Sequence, residues 1–294
     1  MAHVELTGLQ SSIKLSSGHS IPRLGLGVYQ SEEGQEAENA VLYALQAGYR
    51  HIDTATSYDN ETSVGNAIRK SGIPRNDIFV TTKLTEDDQG YESTLAACNL
   101  SLKKLGLEYI DLYLIHSPLC GSELRQESWK AMEKLYAEGK VKSIGVSNYG
   151  VHHLKELLED SGATIRPAVN QIEVHPWLTR TDIVSFCNAN NIAVESYSPL
   201  VQGHKLQDPT LVKIASAHSK TPAQVLIRWN LQRGNIVIPK SSKKQRIVEN
   251  ADVFGFELSE DEVKKLAALN ENYVTGKSYV RVSLNIEWDP TVAP

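Results

Sequence analysis

Ile78-Phe-Val-Thr-Thr-Lys83 and Asp111-Leu-Tyr-Leu-Ile-His116 are short apolar runs that each end in a residue able to hold or donate a proton. The run from His51 to Asp53 has the same form, and Tyr58 follows it closely. Lys83 lies 25 residues after Tyr58, and His116 lies 33 residues after Lys83, so each interval suits one helix and one strand. In a barrel of parallel strands, the residues at the strand ends meet on one rim, which carries the active site. The spacing therefore predicts that these side chains lie together.

Short β-rich runs alternate with helical stretches along the whole chain, and no long linker interrupts them. We predict strands at residues 24–28, 51–53, 78–83, 111–116, 143–147, 168–172, 193–196 and 236–238. Helical patterns cover residues 36–47, 61–71, 93–105, 127–138, 151–158, 181–190 and 222–232, and Thr221 is the expected N-cap of the last. This alternation predicts an α/β fold, a (β/α)8 TIM barrel forming a single domain over residues 1–294. Residues 12–21 predict an N-terminal β-hairpin that turns at Ser17 and Gly18 and caps the bottom of the barrel.

A doubly wound dinucleotide-binding fold is the alternative architecture. It requires the pattern G-x-G-x-x-G between a strand and a helix. The segment that begins at Gly25 lacks the third glycine of this pattern, and the segment from Gly145 to Gly150 lacks the second. Adjacent His152 and His153 diverge by about 100° on a helix, so they do not predict a metal site. The sequence therefore favours the barrel and no metal.

The bulk properties narrow the class of function. The chain has 294 residues, 41% of them hydrophobic, and a formal net charge of −5. A nucleic acid or an acidic membrane surface is therefore not the expected partner. No segment approaches the roughly 18 apolar residues that a membrane span requires. Three cysteines without C-x-x-C spacing, and a start that does not resemble a signal peptide, predict a cytoplasmic protein.

The four rim residues have complementary chemistry, although each alone also suits a structural role at a turn, in the core or on the surface. A free tyrosine has a pKa of about 10. An ammonium group beside the hydroxyl, here that of Lys83, favours the phenolate, and Asp53 can keep the buried lysine charged. His116 can donate a hydrogen bond to a carbonyl oxygen. The set contains no nucleophile, so it predicts protonation of an oxygen by Tyr58 while another group supplies electrons.

The motifs around these residues resemble those of the aldo-keto reductases. Residues 48–65, Gly-Tyr-Arg-His-Ile-Asp-Thr-Ala-Thr-Ser-Tyr-Asp-Asn-Glu-Thr-Ser-Val-Gly, are similar to the first family signature over its full length. Residues 112–116, 145–149 and 238–250 are similar to later signatures, in the same order. The resemblance implies a (β/α)8 barrel whose catalytic tetrad is Asp53, Tyr58, Lys83 and His116. It also implies that NADPH supplies the electrons and binds extended across the barrel, without a Rossmann domain.

The resemblance also implies which residues contact the nicotinamide. Ser147, Asn148 and Gln171 would hold its carboxamide by hydrogen bonds. Tyr197 would stack on the ring and expose one hydride face. These four residues follow or end predicted strands, as expected for contacts made at the rim.

The remaining cofactor contacts are implied for two segments near the C-terminal half of the barrel. Ser198 and Leu200 would approach the pyrophosphate, although residues 201–202 are Val and Gln where many relatives have Gly and Ser. Glu249 and Asn250 would contact the adenine. A cluster of basic and polar residues would bind the 2′-phosphate, and an arginine can hold a phosphate bidentately. The cluster comprises Lys240, Ser241, Lys243 and Arg246. Such a cluster favours NADPH over NADH.

The substrate pocket is implied to have Val28, Tyr29, Ser117 and Trp177 as its walls. Ser117 replaces a bulky Trp of many relatives, and the C-terminal segment, residues 279–294, is short, which together predict an open pocket. The expected substrates are a broad range of aldehydes, α-keto esters or activated ketones. No obligate protein partner is evident. A non-catalytic NADPH-binding partner subunit of the same fold is the alternative function.

Overall fold

An N-terminal β-hairpin closes the lower end of the protein in the computed structural model, which describes residues 6–160 and 162–275. Strand β1 (Ser12–Lys14) pairs antiparallel with β2 (Ser20–Pro22). Gly18 occupies the turn with a φ of +88°, a conformation that glycine adopts without steric cost. Leu15 and Ile21 face the barrel and pack against apolar residues at its lower end, which include Phe79, Leu112, Val169 and Ile236. The predicted hairpin at the bottom of the barrel is thus confirmed.

Within the described residues, eight parallel strands form one sheet that curls into the barrel. They are β3 (Leu26–Gly27), β4 (His51–Asp53), β5 (Phe79–Leu84), β6 (Leu112–Ile115), β7 (Ile144–Ser147), β8 (Val169–Glu173), β9 (Ala193–Tyr197) and β10 (Ile236–Val237). Each strand pairs with the next along the chain. The first and last strands then meet, because Gly25 N donates to Val237 O at 2.9 Å and Gly27 N donates to Pro239 O at 3.2 Å. This closure confirms the barrel and excludes the open doubly wound sheet.

Helices surround the barrel and follow the strands. They are α1 (Gln35–Gln46), α2 (Glu61–Ser71), α3 (Tyr91–Leu105), α4 (Ser122–Ala137), α5 (Val151–Lys155), α6 (Thr181–Ala189), α7 (Pro209–Ala217), α8 (Pro222–Gln232), α9 (Lys244–Ala251) and α10 (Glu260–Ala267). Helix α8 begins as predicted, with the Thr221 side chain accepting from Gln224 N. Helices α7, α9 and α10 lie outside the predicted helical ranges, although α7 and α10 each have an N-cap signal, Asp208 and Ser259 respectively. All three helices are short, at eight or nine residues, which leaves few turns in which a period can be recognised.

The interior of the barrel is divided into an apolar floor and a polar upper layer. Leu112, Leu114 and Val169 fill the floor above the hairpin. Charged and amide side chains, including Lys83 and Gln171, occupy the interior towards the carboxyl ends of the strands and are shielded from solvent. Inward-facing residues of barrel strands stack in layers, so the floor supports the polar layer from below. The described helices include none long and apolar enough to cross a membrane. The C-terminal segment predicted to leave the pocket open lies outside the described residues.

Candidate active site

Lys83 joins Asp53 and Tyr58 at the carboxyl-end rim. Its ammonium nitrogen lies 2.7 Å from Asp53 Oδ1 and 3.2 Å from the hydroxyl oxygen of Tyr58, and it also donates to Thr54 O at 2.8 Å. Lys83 is 0% exposed and Asp53 is 2% exposed, whereas Tyr58 is half-buried. Three acceptors therefore surround a buried ammonium, which satisfies its donors. The contact connects strands β4 and β5 with the turn that carries the tyrosine.

A single 3-10 turn, Thr56–Tyr58, presents the tyrosine to the lysine. Thr56 Oγ1 donates to Lys83 O at 2.9 Å, which ties the turn to β5. The chain then reverses at Asp59, whose φ is +54°, before helix α2 begins. Asn60 Nδ2 donates to Val28 O at 3.0 Å and so anchors the turn to the segment after β3. These local bonds fix the hydroxyl of Tyr58 at the mouth of the barrel.

His116 lies on the other side of Tyr58, with the two ring centroids 5.8 Å apart. Burial, together with the nearby Lys83 ammonium, lowers the pKa of His116 to about 3. The imidazole is therefore neutral near pH 7, with one N–H donor and one acceptor nitrogen. Its Nδ1 lies 3.4 Å from Ser57 Oγ, which leaves Nε2 for another partner. A neutral imidazole can donate a hydrogen bond to a carbonyl oxygen without adding charge.

The residues implied to hold the nicotinamide form one hydrogen-bonded group at the ends of β7, β8 and β9. Ser147 Oγ donates to Gln171 O at 2.9 Å, and Asn148 Nδ2 donates to Ser147 Oγ at 3.2 Å. The Tyr197 hydroxyl donates to Asn148 Oδ1 at 2.8 Å. Asn148 also has a φ of +60°, a left-handed conformation that asparagine tolerates better than most residues. The structure therefore brings all four residues together beside the tetrad.

Two buried side chains beneath this group were missed in the sequence. Glu195 lies on β9 in register with Gln171, and burial together with the nearby Asp53 raises the pKa of Glu195 to about 8. His51 Nε2 lies 3.4 Å from Glu195 Oε1. Burial raises the pKa of Asp53 as well, and the Lys83 ammonium opposes that shift. Glu195 could have been found in the sequence because it is a glutamate inside the apolar run of residues 193–197. A charged side chain that faces inward from such a strand needs a partner.

The loop after β9, which contains the two residues implied to approach the pyrophosphate, has an unusual backbone. Ser198, Val201 and Gln202 have φ values of +46°, +53° and +50°. Leu200 is half-buried between them, and the side chain of Val201 is fully buried. A left-handed conformation is strained for a β-branched residue such as Val201, whereas glycine adopts it without that cost. Burial of the Val201 side chain offsets part of that strain.

The basic cluster after β10 is exposed and lies beside the start of α9. Lys240, Lys243 and Arg246 reach solvent, whereas Ser241 is buried and its hydroxyl accepts from Lys243 N at 3.2 Å. Lys240 Nζ donates to Gln30 O at 3.2 Å, across the closure of the barrel. Within the described residues, no carboxylate lies within 4 Å of the charged atoms of Lys243 or Arg246. These two cations therefore remain available for an anionic ligand.

The two residues implied to contact adenine have different environments. The side chain of Glu249 accepts from Thr221 Oγ1 at 2.9 Å, so it is engaged at the start of α8. Asn250 is buried in the last turn of α9. The adenine contacts remain predictions.

The four implied pocket walls differ in exposure. Tyr29 is 42% exposed, and its ring lies 5.0 Å from that of Tyr58. Val28, Ser117 and Trp177 are buried, and Ser117 O accepts from Gln89 Nε2 at 2.8 Å. Tyr29 is thus the wall that solvent reaches, and substrate contacts by the other three remain predictions.

The protein is a closed (β/α)8 barrel that holds a tyrosine against a buried lysine–aspartate pair, beside a neutral histidine. This arrangement is typical of a barrel enzyme with a group suited to donating a proton. The chain belongs to the Aldo/keto reductase family, which matches residues 23–271. It is therefore an oxidoreductase of a carbonyl-reducing family.

Individual relatives resemble the chain over nearly its whole length. It is 49% identical over 270 residues to a glyoxal reductase of Bacillus subtilis, covering 92% of this chain and 96% of the relative. A solved aldo-keto reductase from a deep-sea metagenome library has 49% identity and a TM-score of 0.86, with 90% and 96% of the two chains covered. An aldo-keto reductase of Bombyx mori, solved in complex with NADP, has 37% identity and a TM-score of 0.86, with 93% and 97% covered.

Proposed function

We propose that this protein reduces aldehydes and activated ketones to alcohols with NADPH, and that Tyr58 donates the proton. The observation that carries this proposal is the bridging ammonium of Lys83, within hydrogen-bond distance of both Asp53 and the Tyr58 hydroxyl. That ammonium stabilises the phenolate left when Tyr58 gives up its proton. Asp53 keeps the lysine charged and oriented in the barrel interior. The neutral His116 donates a hydrogen bond that orients the substrate carbonyl.

The described side chains suit an NADP molecule at this rim. Lys243 and Arg246 have no carboxylate partner among the described residues, and a 2′-phosphate would satisfy them. Within those residues no donor reaches Gln171 Oε1, which suits the NH2 group of a nicotinamide carboxamide. When bound, the reduced cofactor supplies a hydride to the carbonyl carbon. The Bombyx mori relative that was solved with NADP supports the same choice of cofactor.

Small dicarbonyl compounds are the substrate class that we favour. The Bacillus subtilis relative is a glyoxal reductase, and glyoxal presents two adjacent aldehydes. The exposed ring of Tyr29 beside Tyr58 suits a shallow pocket that admits small polar carbonyls. An aromatic aldehyde and an α-keto ester share the activated carbonyl and are the next expected substrates.

We further propose that the protein acts in the cytoplasm, without an obligate protein partner. The three cysteines, Cys98, Cys120 and Cys187, are all free, which suits a reducing compartment. NADPH is the usual reductant of such a compartment, and its high ratio to NADP would favour reduction over alcohol oxidation.

The test follows the loss of nicotinamide absorbance with glyoxal, an aromatic aldehyde, an α-keto ester and an aldose, with NADPH and NADH in parallel. The Y58F variant is measured beside the wild type, and NADPH binding to both is measured by fluorescence. Turnover by the wild type, with loss of at least 100-fold in Y58F and unchanged binding, would support the proposal. Equal turnover in both would remove Tyr58 from the mechanism. Tight binding without turnover of any substrate would favour the non-catalytic partner subunit.

A further inference from the structure

Gln171 makes its side-chain contacts with two carboxyl groups across the barrel interior. Its Nε2 atom donates to Asp53 Oδ2 at 2.7 Å and to Glu195 Oε2 at 3.1 Å. Gln171 and Asp53 are 2% exposed, and Glu195 is 0% exposed, so water does not compete for these bonds. An amide NH2 group has two donor hydrogens, and here each has its own acceptor.

These two bonds determine which way the amide of Gln171 is turned. Because both neighbouring atoms are carboxyl oxygens, the NH2 group must face them and Oε1 must point away. Turning the amide by 180° would place Oε1 against the Asp53 carboxylate and leave the NH2 hydrogens without these buried acceptors, which is costly. One acceptor would fix one hydrogen only and leave the amide plane free to rotate. Glu195 is the second acceptor, so it completes the orientation.

The protonation state of Glu195 is compatible with this role. The Lys83 ammonium acts electrostatically on both carboxyl groups, and it pairs directly with Asp53. With a pKa of about 8, Glu195 carries a proton near pH 7, and its other carboxyl oxygen, Oε1, lies 3.4 Å from His51 Nε2. Burial lowers the pKa of His51 to about 3, so this ring stays neutral beside Glu195, and its Nε2 is within hydrogen-bond distance of Thr81 Oγ1 at 3.1 Å. Glu195 Oε1 has no hydrogen-bond partner among the described residues, so it can carry the proton. Oε2 then remains an acceptor for Gln171.

We propose that Glu195 is a positioning residue for the cofactor: through the amide of Gln171 it directs Oε1 towards the NH2 group of the nicotinamide carboxamide. The inference rests on the proposed NADPH function. It implies that the site distinguishes a carboxamide from a group of the same shape that has no N–H donor. A glutamate buried in this strand for stability alone would not affect that distinction.

The test compares binding of NADP+ with binding of its 3-acetylpyridine analogue, in which a methyl ketone replaces the amide. Calorimetric titration of the full-length protein, without substrate, gives both dissociation constants. We expect the wild type to prefer NADP+ by about tenfold, the factor of one buried hydrogen bond. E195M, which keeps the length of the side chain but has no acceptor, should reduce the preference to about threefold or less. E195Q, which retains an acceptor oxygen, should restore it to nearly the wild-type value.

Two further variants separate orientation from general disruption. Q171L removes the amide and should abolish the preference. S196A is the matched control, because Ser196 is buried on the same strand but its hydroxyl donates outward to Asn230 Oδ1 at 3.0 Å. It should keep the wild-type preference even if the protein melts at a lower temperature. If E195M does not fold, E195A replaces it in the same comparison.

The outcomes distinguish this inference from the proposed function. An unchanged preference in a folded E195M or E195A protein would overturn the role of Glu195 while leaving the NADPH function intact. Equal binding of both ligands by the wild type would overturn the carboxamide contact. Failure of the wild type to bind either ligand would overturn the proposed function and, with it, the inference.

Discussion

Lys83 and Asp53 form an ion pair, with Nζ 2.7 Å from Oδ1, in a part of the barrel that solvent does not reach. Removing one partner of such a pair leaves an uncompensated buried charge, which is costly. The same ion pair therefore stabilises the polar layer of the barrel and holds the positive charge that acts on Tyr58.

Replacing Asp53 with Asn should lower the rate of carbonyl reduction. The asparagine oxygen can still accept from Lys83, but the negative charge that holds the ammonium in place is lost. We expect kcat to fall about 10- to 100-fold, within the range of general acid catalysis, and unfolding to become easier by about 3 kcal/mol. Steady-state kinetics and denaturant unfolding measure the two effects. D59N, an equivalent change at an exposed position next to Tyr58, should leave both unchanged; an active, stable D53N protein would contradict the prediction.

His116 should not titrate in the working pH range. Its pKa of about 3 lies below the ordinary value of 6.5, so the ring stays neutral from pH 5 to pH 8. The profile of kcat/KM against pH should therefore lack a histidine step near pH 6.5. The H116Q variant, measured over the same range, shows whether any step belongs to this residue. A step near pH 6.5 that disappears in H116Q would show that the ring is protonated in the free enzyme.

His51 should contribute a decrease in the free energy of unfolding as the pH falls below 6.5. The fold lowers the pKa of His51 to about 3 by burial, so between pH 6.5 and pH 3 the unfolded chain binds a proton that the native protein excludes. The contribution of His51 to stability is therefore complete above pH 6.5, and below it declines by up to about 1.4 kcal/mol per pH unit. The raised pKa of Glu195 acts with the opposite sign, because its contribution is lost as the pH rises from 4.5 towards 8. Urea unfolding at several pH values measures the slope. H51Q should reduce the slope below pH 6.5 by up to about 1.4 kcal/mol per pH unit, leaving the contribution of His116, whose pKa is also lowered to about 3. H19Q, at an exposed position, should leave the slope unchanged.

Arg246 should contribute to the preference for NADPH over NADH. A charge-assisted bond to phosphate is worth about 1.5–3 kcal/mol, or roughly 10- to 100-fold in affinity. R246A should weaken NADPH binding by that factor and leave NADH binding nearly unchanged. K264A, at an exposed lysine of α10 that pairs with Glu260, is the control for loss of positive charge. An equal loss for both cofactors in R246A would place the 2′-phosphate elsewhere.

Ser219 offers a stability prediction far from the site. Helix α7 ends in a Schellman motif, in which Lys220 N donates to Ala215 O at 2.9 Å and Ser219 N donates to Ser216 O at 3.1 Å. Ser219 has a φ of +53°, where glycine is favoured. S219G should therefore stabilise the protein by about 0.5–1 kcal/mol, and S219A should not. Thermal melting detects the difference; a lower melting temperature for S219G would contradict it.

Local sequence signals predicted most of the barrel. The strands end where polar residues such as Lys83 follow β-rich runs, and Thr221 with Pro222 marks the start of α8. Helix α10 was missed although Ser259 and Glu262 form a capping box there. That segment is short and highly charged, and Leu266 is its single buried apolar residue. Its hydrophobic periodicity is therefore too weak to predict a helix.

The sequence by itself determined the order of strands and helices and which polar residues reach the rim, because both depend on local periodicity and strand ends. The partners inside the barrel depended on the tertiary structure. Gln171 and Asp53 lie 118 residues apart, on β8 and β4, which face each other across the barrel axis. Their hydrogen bond, and the place of Glu195 beside it, exist only once the sheet has closed. Closure brings inward side chains of opposite strands together in a dry interior, where each buried polar group must find its partner.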